Sequence, residues 1–481
     1  MRLTRMHSPR WSRGLVVLAL VLGGGSCRRS RFPSRGDAAA VVVVVPHNDA
    51  AGPPRVMEQE PNDSPEQAQL LAINPDWPVL SVEGELSAPG EGKGKDVDVF
   101  KMFVPGRRQD PAAPTGGPDA AQPDDPRMSA RRLALEIASA GGAGLSLQLL
   151  DDGLKSLETI SVDPGTIAGM PNMAALPGRT YYFRVRAMAK SGKTPGSQPI
   201  SSAYKLTVQL GDFEVSEERE PNDGLASAQS VVVVGTVDFA GLFGWQHDQD
   251  FYRISLPEVA SALDIELEAV EGVAAGLQVL DGGGARIAGG RGRRGERVAL
   301  HNVTIPAALA EAGNGARFLY VALRGESGHN RTQRYVLHLT LGTLRQDAEI
   351  EPNDNPTNAT PVRDGTISGF LPVGDVDYFR YLGEGQREVS FEVSCPARVR
   401  GKLEVVRQSD GQVLGAAEAK KARQDVVVSH ITNVGAPLLV RLSQGKGDGN
   451  ADEPYSLRIS SAAMPIQKIG ATNSPSPLNP D

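Results

Sequence analysis

Cysteine, histidine and aromatic residues are all scarce in this chain of 481 residues. Its two cysteines, Cys27 and Cys395, cannot build the disulfide framework that holds many small exported domains together, and we expect Cys395 to be a buried, inert thiol. The seven histidines occur singly, and neither His-Glu-x-x-His nor Gly-x-Ser-x-Gly is present. Because the machinery of a zinc or serine hydrolase is missing, we expect the protein not to be an enzyme.

Long hydrophobic runs are also missing from the N-terminal region. Its apolar core covers residues 15–22, far short of the roughly 20 residues that a membrane-spanning helix needs. A positively charged stretch precedes this core and contains Arg2, Arg5, Arg10 and Arg13. A positive stretch followed by a short apolar core is typical of a secretory signal peptide, which we assign to residues 1–26.

The end of this segment, Gly24-Gly25-Ser26-Cys27, resembles a bacterial lipoprotein signal. The resemblance implies that Cys27 is the lipidated first residue of the mature chain. The alternative is ordinary secretory cleavage nearby, with Cys27 as an incidental thiol. Arg28 follows in place of the aspartate associated with inner-membrane retention, so we expect an outer-membrane or cell-surface protein. Residues 27–56 are rich in proline and are interpreted as a flexible, lipid-anchored linker.

The charge balance excludes one class of partner. The whole chain carries a formal charge of -7 at pH 7. Residues 1–26 contain four arginines and no acid, so their removal leaves a mature chain of about -11 (-7 minus 4). An acidic chain of this kind is not expected to bind nucleic acid.

A six-residue acidic segment occurs three times in the sequence. The copies are Glu58-Gln59-Glu60-Pro61-Asn62-Asp63, Glu218-Arg219-Glu220-Pro221-Asn222-Asp223 and Glu349-Ile350-Glu351-Pro352-Asn353-Asp354. Each copy is followed by an acidic couplet that leads into an aromatic residue. The couplets are Asp96-Val97-Asp98, Asp248-Gln249-Asp250 and Asp375-Val376-Asp377. A repeat at this spacing marks three copies of one structural unit.

The spacing of these acids suggests a metal site. Alternate residues of an extended strand point to the same side, so Glu58, Glu60 and Asn62 can present oxygens on one face. With the couplet alongside, five or six hard oxygen donors suit Ca²⁺, whereas zinc is disfavoured because no histidine or cysteine recurs with the motif. The alternative is that Asn62 and Asp63 cap a short helix and that the acids are solvated.

The acidic segment, the couplet and a closing strand that begins with a tyrosine together resemble the bacterial pre-peptidase C-terminal domain, a relative of the collagen-binding domains of secreted collagenases. The tyrosines are Tyr204, Tyr335 and Tyr455. The resemblance covers three tandem copies and implies a jelly-roll-like β-sandwich in which calcium is held by the acidic segment and the couplet. The implied ligands are Glu58, Glu60, Asn62, Asp63, Asp96 and Asp98; Glu218, Glu220, Asn222, Asp223, Asp248 and Asp250; and Glu349, Glu351, Asn353, Asp354, Asp375 and Asp377.

Short runs of alternating apolar and polar residues, separated by closely spaced turns, predict an all-β chain of three tandem jelly-roll-like β-sandwich domains. We place these domains at residues 57–211, 212–344 and 345–463. Residues 105–132 and 464–481 are expected to be a disordered insertion and a disordered tail, because their composition cannot bury enough apolar surface. The one helix that we expect covers residues 67–71.

These features lead to one functional hypothesis and one alternative. We expect a non-enzymatic envelope lipoprotein whose calcium-stabilised repeats serve binding, adhesion or scaffolding at the cell surface. Its ligand would be an extracellular protein or polysaccharide. The alternative is an accessory module that presents or restrains a separate secreted peptidase or polysaccharide hydrolase.

Overall fold

The computed structural model describes residues 53–73, 78–87, 96–106, 125–188, 201–257, 259–306, 317–446 and 448–463. These residues belong to one compact unit, Pro53–Asp481. The signal peptide, Cys27, most of the linker, residues 107–124 of the insertion and the tail lie outside the described residues. Within the described part, no helix has the length and hydrophobicity needed to cross a membrane.

The first sandwich is built from ten strands and one 3-10 helix, Pro126–Ser129. The strands are β1 Arg55–Met57, β2 Gln69–Leu70, β3 Val79–Leu86, β4 Val97–Phe103, β5 Arg131–Ser139, β6 Leu145–Leu150, β7 Ser156–Val162, β8 Ile167–Ala175, β9 Thr180–Ala187 and β10 Ser202–Asp212. One sheet has the order β1-β3-β10-β5-β8 and the other β2-β4-β9-β6-β7.

The second sandwich has nine strands and one 3-10 helix, Leu225–Ser227. The strands are β11 Gln229–Val232, β12 Thr236–Phe243, β13 Gln249–Leu256, β14 Ala262–Leu267, β15 Ala274–Leu280, β16 Arg286–Arg291, β17 Val298–Thr304, β18 Arg317–Ser327 and β19 Asn330–Gly342. Its sheets have the orders β12-β19-β14-β17 and β11-β13-β18-β15-β16.

The third sandwich also has nine strands. They are β20 Thr360–Val362, β21 Gly365–Leu371, β22 Val376–Tyr381, β23 Gln386–Ser394, β24 Gly401–Arg407, β25 Val413–Glu418, β26 Val426–Val434, β27 Leu438–Gln444 and β28 Asn450–Ala463. Its sheets have the orders β21-β28-β23-β26 and β20-β22-β27-β24-β25. The same two-sheet arrangement therefore occurs three times.

Strand alternation explains where each core lies. In β5, Leu133, Leu135 and Ile137 are buried while the residues between them are more exposed. Side chains of both sheets meet in one apolar cluster per sandwich, as expected when two sheets pack face to face. The prediction of an all-β fold of tandem jelly-roll-like β-sandwiches is confirmed. Cys395 is a free, buried thiol at the edge of the third core.

The prediction of a short helix at residues 67–71 is wrong. Gln69–Leu70 is the strand β2, which pairs in parallel with β4 through Gln69 and Phe100. Turn residues precede it where the cap and the proline were expected to start a helix. Pairing with a buried strand outweighs the weak local preference of so short a segment for helix.

Two segments expected to lack structure are partly ordered. The last residues assigned to the flexible linker belong to β1, which pairs in parallel with β3. The last part of the insertion, residues 125–132, forms the 3-10 helix and the start of β5. Arg127 explains this order, because its guanidinium donates to the carbonyl oxygens of Pro221, Ser227 and Ala228 at 2.7 to 3.0 Å.

Candidate metal centre

Each acidic segment lies where the chain enters a sandwich, just ahead of the short strand β2, β11 or β20. The Glu-Pro peptide bond is cis in all three copies, at Glu60-Pro61, Glu220-Pro221 and Glu351-Pro352. The backbone carbonyl of the following asparagine accepts from the strand that carries the couplet. The donors to Asn62, Asn222 and Asn353 are the N–H groups of Val99, Phe251 and Tyr378, at 2.9 to 3.0 Å. These bonds bring segment and couplet together.

The first glutamate of each segment is held by a backbone N–H of the neighbouring strand. Glu58 accepts from the N–H of Glu85 at 2.8 Å, and Glu218 accepts from that of Leu242 at 2.8 Å. In the third copy, Phe370 donates to Glu349 at 2.6 Å. A carboxylate fixed in this way has one oxygen engaged and turns the other toward the couplet.

A glycine precedes each of these donors, and the site requires it. A Cβ atom on Gly84 would lie 2.5 Å from the Oη atom of Tyr204 and 2.8 Å from Oε2 of Glu58. Gly241 and Gly369 face the equivalent tyrosine and glutamate, with the tyrosine hydroxyl closer still. Any side chain at these positions would occupy the space of the tyrosine hydroxyl.

The tyrosine of each closing strand contributes a hydroxyl to the cluster. Tyr204 donates to Oδ2 of Asp98 at 2.5 Å, and Tyr335 donates to Oδ2 of Asp250 at 2.8 Å. In the third copy, Tyr455 donates to Oε2 of Glu349 at 2.7 Å. The sequence pattern contained these tyrosines, but their role in the site was not predicted.

The remaining carboxylates are tied to nearby backbone N–H groups. The second glutamate accepts from the N–H of the asparagine two residues later, at 2.9 Å for Glu60, 2.5 Å for Glu220 and 3.0 Å for Glu351. The first aspartate of the couplet also accepts a backbone N–H. Gly244 donates to Asp248 at 2.6 Å, and Ser87 donates to Asp96.

Five triads of carboxylates result among the described residues, each with ligand atoms that all lie within 4.8 Å of one another. In the first two sandwiches, two triads share the second glutamate, whereas the third sandwich has one triad. The triads are Glu58, Glu60 and Asp98; Glu60, Asp63 and Asp96; Glu218, Glu220 and Asp250; Glu220, Asp223 and Asp248; and Glu349, Glu351 and Asp377. Of the acids proposed from sequence, Asp354 and Asp375 are the two that join no triad.

Several buried oxygens in these clusters have no hydrogen-bond partner among the described residues. They include Oδ1 of the segment asparagine in every copy and Oδ1 of the second aspartate of every couplet. The atoms are Oδ1 of Asn62, Asn222, Asn353, Asp98, Asp250 and Asp377. Buried polar atoms are normally paired, so a repeated set of unpaired oxygens at one place indicates a missing positive partner.

Burial raises the pKa values of five of the clustered acids, Asp98, Glu220, Asp250, Glu349 and Glu351. The pKa of Asp98 rises to about 8, through desolvation first and then the charge of Glu58, although the hydrogen bond from Tyr204 opposes the rise. Desolvation raises the pKa of Glu349 to about 7 and that of Glu351 to about 8. In the second copy, desolvation and the charge of Glu218 hold the pKa values of Glu220 and Asp250 well above their usual range. The protein alone does not compensate these negative charges.

The preceding sandwich covers the second and third sites, which the sequence did not predict. Asn172 in β8 donates through Nδ2 to Oε2 of Glu218 at 2.6 Å, and its carbonyl accepts from the N–H of Glu220 at 3.1 Å. The N–H of Ala174 donates to the carbonyl of Glu220 at 2.7 Å. As a result Glu218 and Glu220 are fully buried, whereas Glu58 and Glu60 are not.

The joint between the second and third sandwiches repeats this arrangement. Asn302 in β17 accepts through its carbonyl from the N–H of Glu351 at 3.2 Å, and Thr304 donates to the carbonyl of Glu351 at 2.7 Å. The side chain of Asn302 donates to the carbonyl of Glu349 at 2.6 Å. The second and third segments thus each add a short extended stretch to the edge of the sheet before them.

The two covered sites differ in the charge that the preceding sandwich supplies. Glu158 in β7 lies near the second site, where desolvation and the charge of Asp223 raise its pKa to about 7. The pKa of Asp248 is raised mainly by desolvation and by the charge of Glu218, and the charge of Glu158 adds a smaller rise. At the third site the neighbour is Arg286, whose charge counters the rise in the pKa of Glu351. The surroundings are therefore more acidic at the second site than at the third.

Comparison with known proteins identifies no family. No family model matches the chain, and no curated protein sequence is significantly similar to it. Similar solved structures include the PBSX exported protein XepA, with 11% identity over 44% of this chain and 76% of that one and a TM-score of 0.14. The CUB1-EGF-CUB2 domain of human MASP-1/3 is 10% identical over 47% of this chain and 100% of its own, with a TM-score of 0.15.

A third similar structure is described as a triple jelly roll fold and turret assembly in an archaeal virus. It is 10% identical over 69% of this chain and 80% of its own, with a TM-score of 0.15. Scores this low add nothing about function.

Proposed function

We propose that the acidic segments and couplets bind Ca²⁺ and that the ions stiffen a tandem array of β-sandwiches. The supporting observation is the repeated set of buried, unpaired oxygens at Asn62, Asn222 and Asn353 and at the second aspartate of each couplet. Carboxylate and amide oxygens with no nitrogen or sulfur donor form the ligand set that a hard cation prefers, and calcium tolerates the irregular geometry of such a cluster.

The role of the ion follows from the position of the segment. Each segment contacts its own sandwich through the couplet, and the second and third segments also pair with the sandwich before them. A cation that fixes the segment therefore fixes the joint at the same time. Without a cation, the clustered acids repel one another or take up protons, so the joint loosens.

We further propose that the protein is a non-enzymatic lipoprotein, tethered through Cys27 at the outer membrane or cell surface. A calcium-stiffened array of sandwiches suits a spacer or scaffold that holds a binding surface away from the membrane and presents it to an extracellular protein or polysaccharide. The signal sequence and the resemblance to pre-peptidase C-terminal domains support this part of the proposal. Labelling with a radioactive fatty acid, in cells that express the wild type or Cys27→Ser, tests the anchor.

Calcium titration calorimetry on the mature chain, paired with melting curves, tests the central claim. We expect binding at five positions, matching the five carboxylate triads, and a higher melting temperature, because a ligand that binds only the folded state stabilises it by mass action. Glu218→Gln should lose the calcium binding of the second sandwich and keep that of the first and third. The control is Glu271→Gln, an exposed acid of the same sandwich outside the triads. Absence of both heat and thermal shift would refute calcium binding.

A further inference from the structure

The edge of the third sandwich matches the edges that form the two joints within the chain. Strands β8, β17 and β26 each lie at the end of a sheet order, next to β5, β14 and β23 respectively. All three pair with the neighbouring strand in the same register and carry a bulge at the same place. The third sandwich therefore has an edge strand with the same register and bulge as β8 and β17, the strands that receive the next acidic segment in the first two sandwiches.

The register identifies the matching residues. Ala174 pairs with Arg132 and donates its N–H outward to Glu220. Thr432 occupies the position of Ala174, because it pairs with Glu388 just before the bulge. The N–H of Thr432 therefore points away from β23.

The backbone carbonyl that accepts a hydrogen bond at each joint also has an equivalent in β26. Counted from the bulge, His430 occupies the position of Asn172, whose carbonyl accepts from the N–H of Glu220. No described residue pairs with this side of β26, which we call the trailing edge, residues 430–432.

The other end of the array carries the matching element. The N–H and carbonyl of Glu60 have no hydrogen-bond partner among the described residues, whereas those of Glu220 and Glu351 are both used in joints. The first acidic segment, residues 58–61, which we call the leading segment, is fixed to its own sandwich as the other two are. It is therefore already in the conformation that pairs with a sheet edge.

We propose that the trailing edge binds the leading segment of a second copy of this chain, so that copies associate head to tail. The contact continues the geometry of the two internal joints: the N–H of Thr432 donates to the carbonyl of Glu60, and the carbonyl of His430 accepts from its N–H. His430 stands where Asn172 donates to the first glutamate. The Nδ1 atom of its exposed imidazole contacts Glu388 of the neighbouring strand, which leaves the Nε2 atom to meet Glu58. Calcium makes no contact across this association, but an ion that fixes the leading segment strengthens it.

Two features select a second copy over other occupants. Both internal joints are made by the pattern Glu-x-Glu-Pro-Asn-Asp, which the sequence contains only in the three acidic segments. The second and third segments are already used. Because leading segment and trailing edge are different surfaces, the contact is heterologous and produces chains or rings of copies rather than a closed pair.

Analytical ultracentrifugation of the mature chain in a Cys27→Ser background tests the proposal. The wild type should grow in mass with concentration, and Thr432→Pro should weaken self-association about tenfold or more, the effect of losing about 1.4 kcal/mol. Proline is tolerated at an edge position whose N–H faces outward, and it removes that donor. The control Thr432→Ala keeps the N–H and should associate like the wild type. Melting curves of both variants confirm that they fold.

Mixing the variant with the wild type separates this model from its rivals. Labelled Thr432→Pro retains its leading segment, so it should cap wild-type assemblies and shorten them. If trailing edges paired with each other instead, the labelled variant would stay monomeric in the mixture, and head-to-tail association would be refuted. A wild type that is monomeric at every concentration would also overturn the proposal and would favour residues 464–481 of the same chain as the occupant.

Discussion

Asn172 and Glu218 belong to different sandwiches, yet the amide nitrogen of Asn172 lies 2.6 Å from Oε2 of Glu218. The amide oxygen of Asn172 is buried and has no hydrogen-bond partner within the described part of the chain. The pair therefore links the fold of one sandwich to the acidic cluster of the next. A substitution at Asn172, in the first sandwich, should therefore change the properties of the acidic cluster in the second sandwich.

Asn172→Asp should have opposite effects with and without calcium. In chelator, a new carboxylate beside the buried Glu218 adds like-charge repulsion, so the melting temperature should fall. With excess calcium, the same group is an additional oxygen ligand, and the loss should shrink or reverse. Melting curves of Asn172→Asp and Asn172→Ala under both conditions measure the difference. An equal loss in chelator and in calcium would show that Asn172 acts only through packing.

Tyr335→Phe should destabilise the second sandwich. The hydroxyl of Tyr335 donates to Asp250 at 2.8 Å and also contacts the hydroxyl of Tyr252, all in a fully buried setting. Removing the donor leaves a buried acceptor unsatisfied, which costs about 1 to 3 kcal/mol. Urea unfolding followed by circular dichroism measures the loss. Tyr320→Phe on the same sandwich is the control, since its ring is only partly buried, and a similar loss in both would contradict the assignment.

Gly241→Ala should abolish cation binding in the second sandwich. The added methyl group would meet the Tyr335 hydroxyl and Oε2 of Glu218, the latter at 2.8 Å. Both groups must then move, and the carboxylate loses its fixed orientation. Calcium calorimetry should show fewer sites with the remaining ones unchanged. Gly342→Ala, at a position where an added Cβ meets nothing within 4 Å, should bind like the wild type.

Stability in chelator should fall as the pH rises. The folded-state pKa values of Asp98, Glu349 and Glu351 are about 8, 7 and 8, against ordinary values of 3.8 or 4.5. A carboxyl group with a raised pKa holds its proton more tightly when folded, so its stabilising contribution is complete below the ordinary pKa and is lost as the pH passes the raised value. The melting temperature in chelator should therefore decline between about pH 4.5 and pH 8.

Excess calcium should reverse this trend, because protons compete with the ion for the carboxylates. Scanning calorimetry across the same pH range in chelator and in calcium gives both curves. Parallel curves would show that the raised pKa values and the cation site are unrelated.

Arg127→Ala should loosen the first joint without unfolding either sandwich. The guanidinium pairs with Asp125 and donates to three carbonyl groups at the entrance of the second sandwich. X-ray scattering should report a wider spread of shapes, and limited proteolysis should cleave near residue 212 more readily. Arg179→Ala removes an exposed ion pair with Asp152 and should change neither observable. Scattering unchanged from the wild type would show that other contacts hold the joint.

The sequence predicted the fold class and most of the central strands because their alternation of apolar and polar residues is strong. In Leu145–Leu150, for example, the leucines are buried and alternate with the partly exposed Ser146 and Gln148. Short pairing strands such as Gln69–Leu70 were missed, because two residues carry no periodicity and are fixed only by the neighbour with which they pair.

The candidate ligands were visible as a repeat, but their neighbours were not. In the sequence, Gly84 and its equivalents cannot be told from ordinary strand glycines. Their role is visible only in the structure, where the tyrosine hydroxyl occupies the space of a side chain. Asn172 and Glu158 lie outside the repeated motif, and only the packing of one sandwich on the next brings them to the second cluster. Contacts of this kind depend on the angle between sandwiches, on which a single sequence gives no information.

The charge beside each acidic cluster is set by the copy that comes before it, an acid from Glu158 in one case and a base from Arg286 in the other. The copies are therefore not interchangeable parts. A deletion or duplication that spliced the chain cleanly at residue 212 or 345 would preserve every sandwich and still give its cluster a new neighbour. The order of the copies is a heritable property of this protein in its own right, and recombination between copies would alter it even where no residue is substituted.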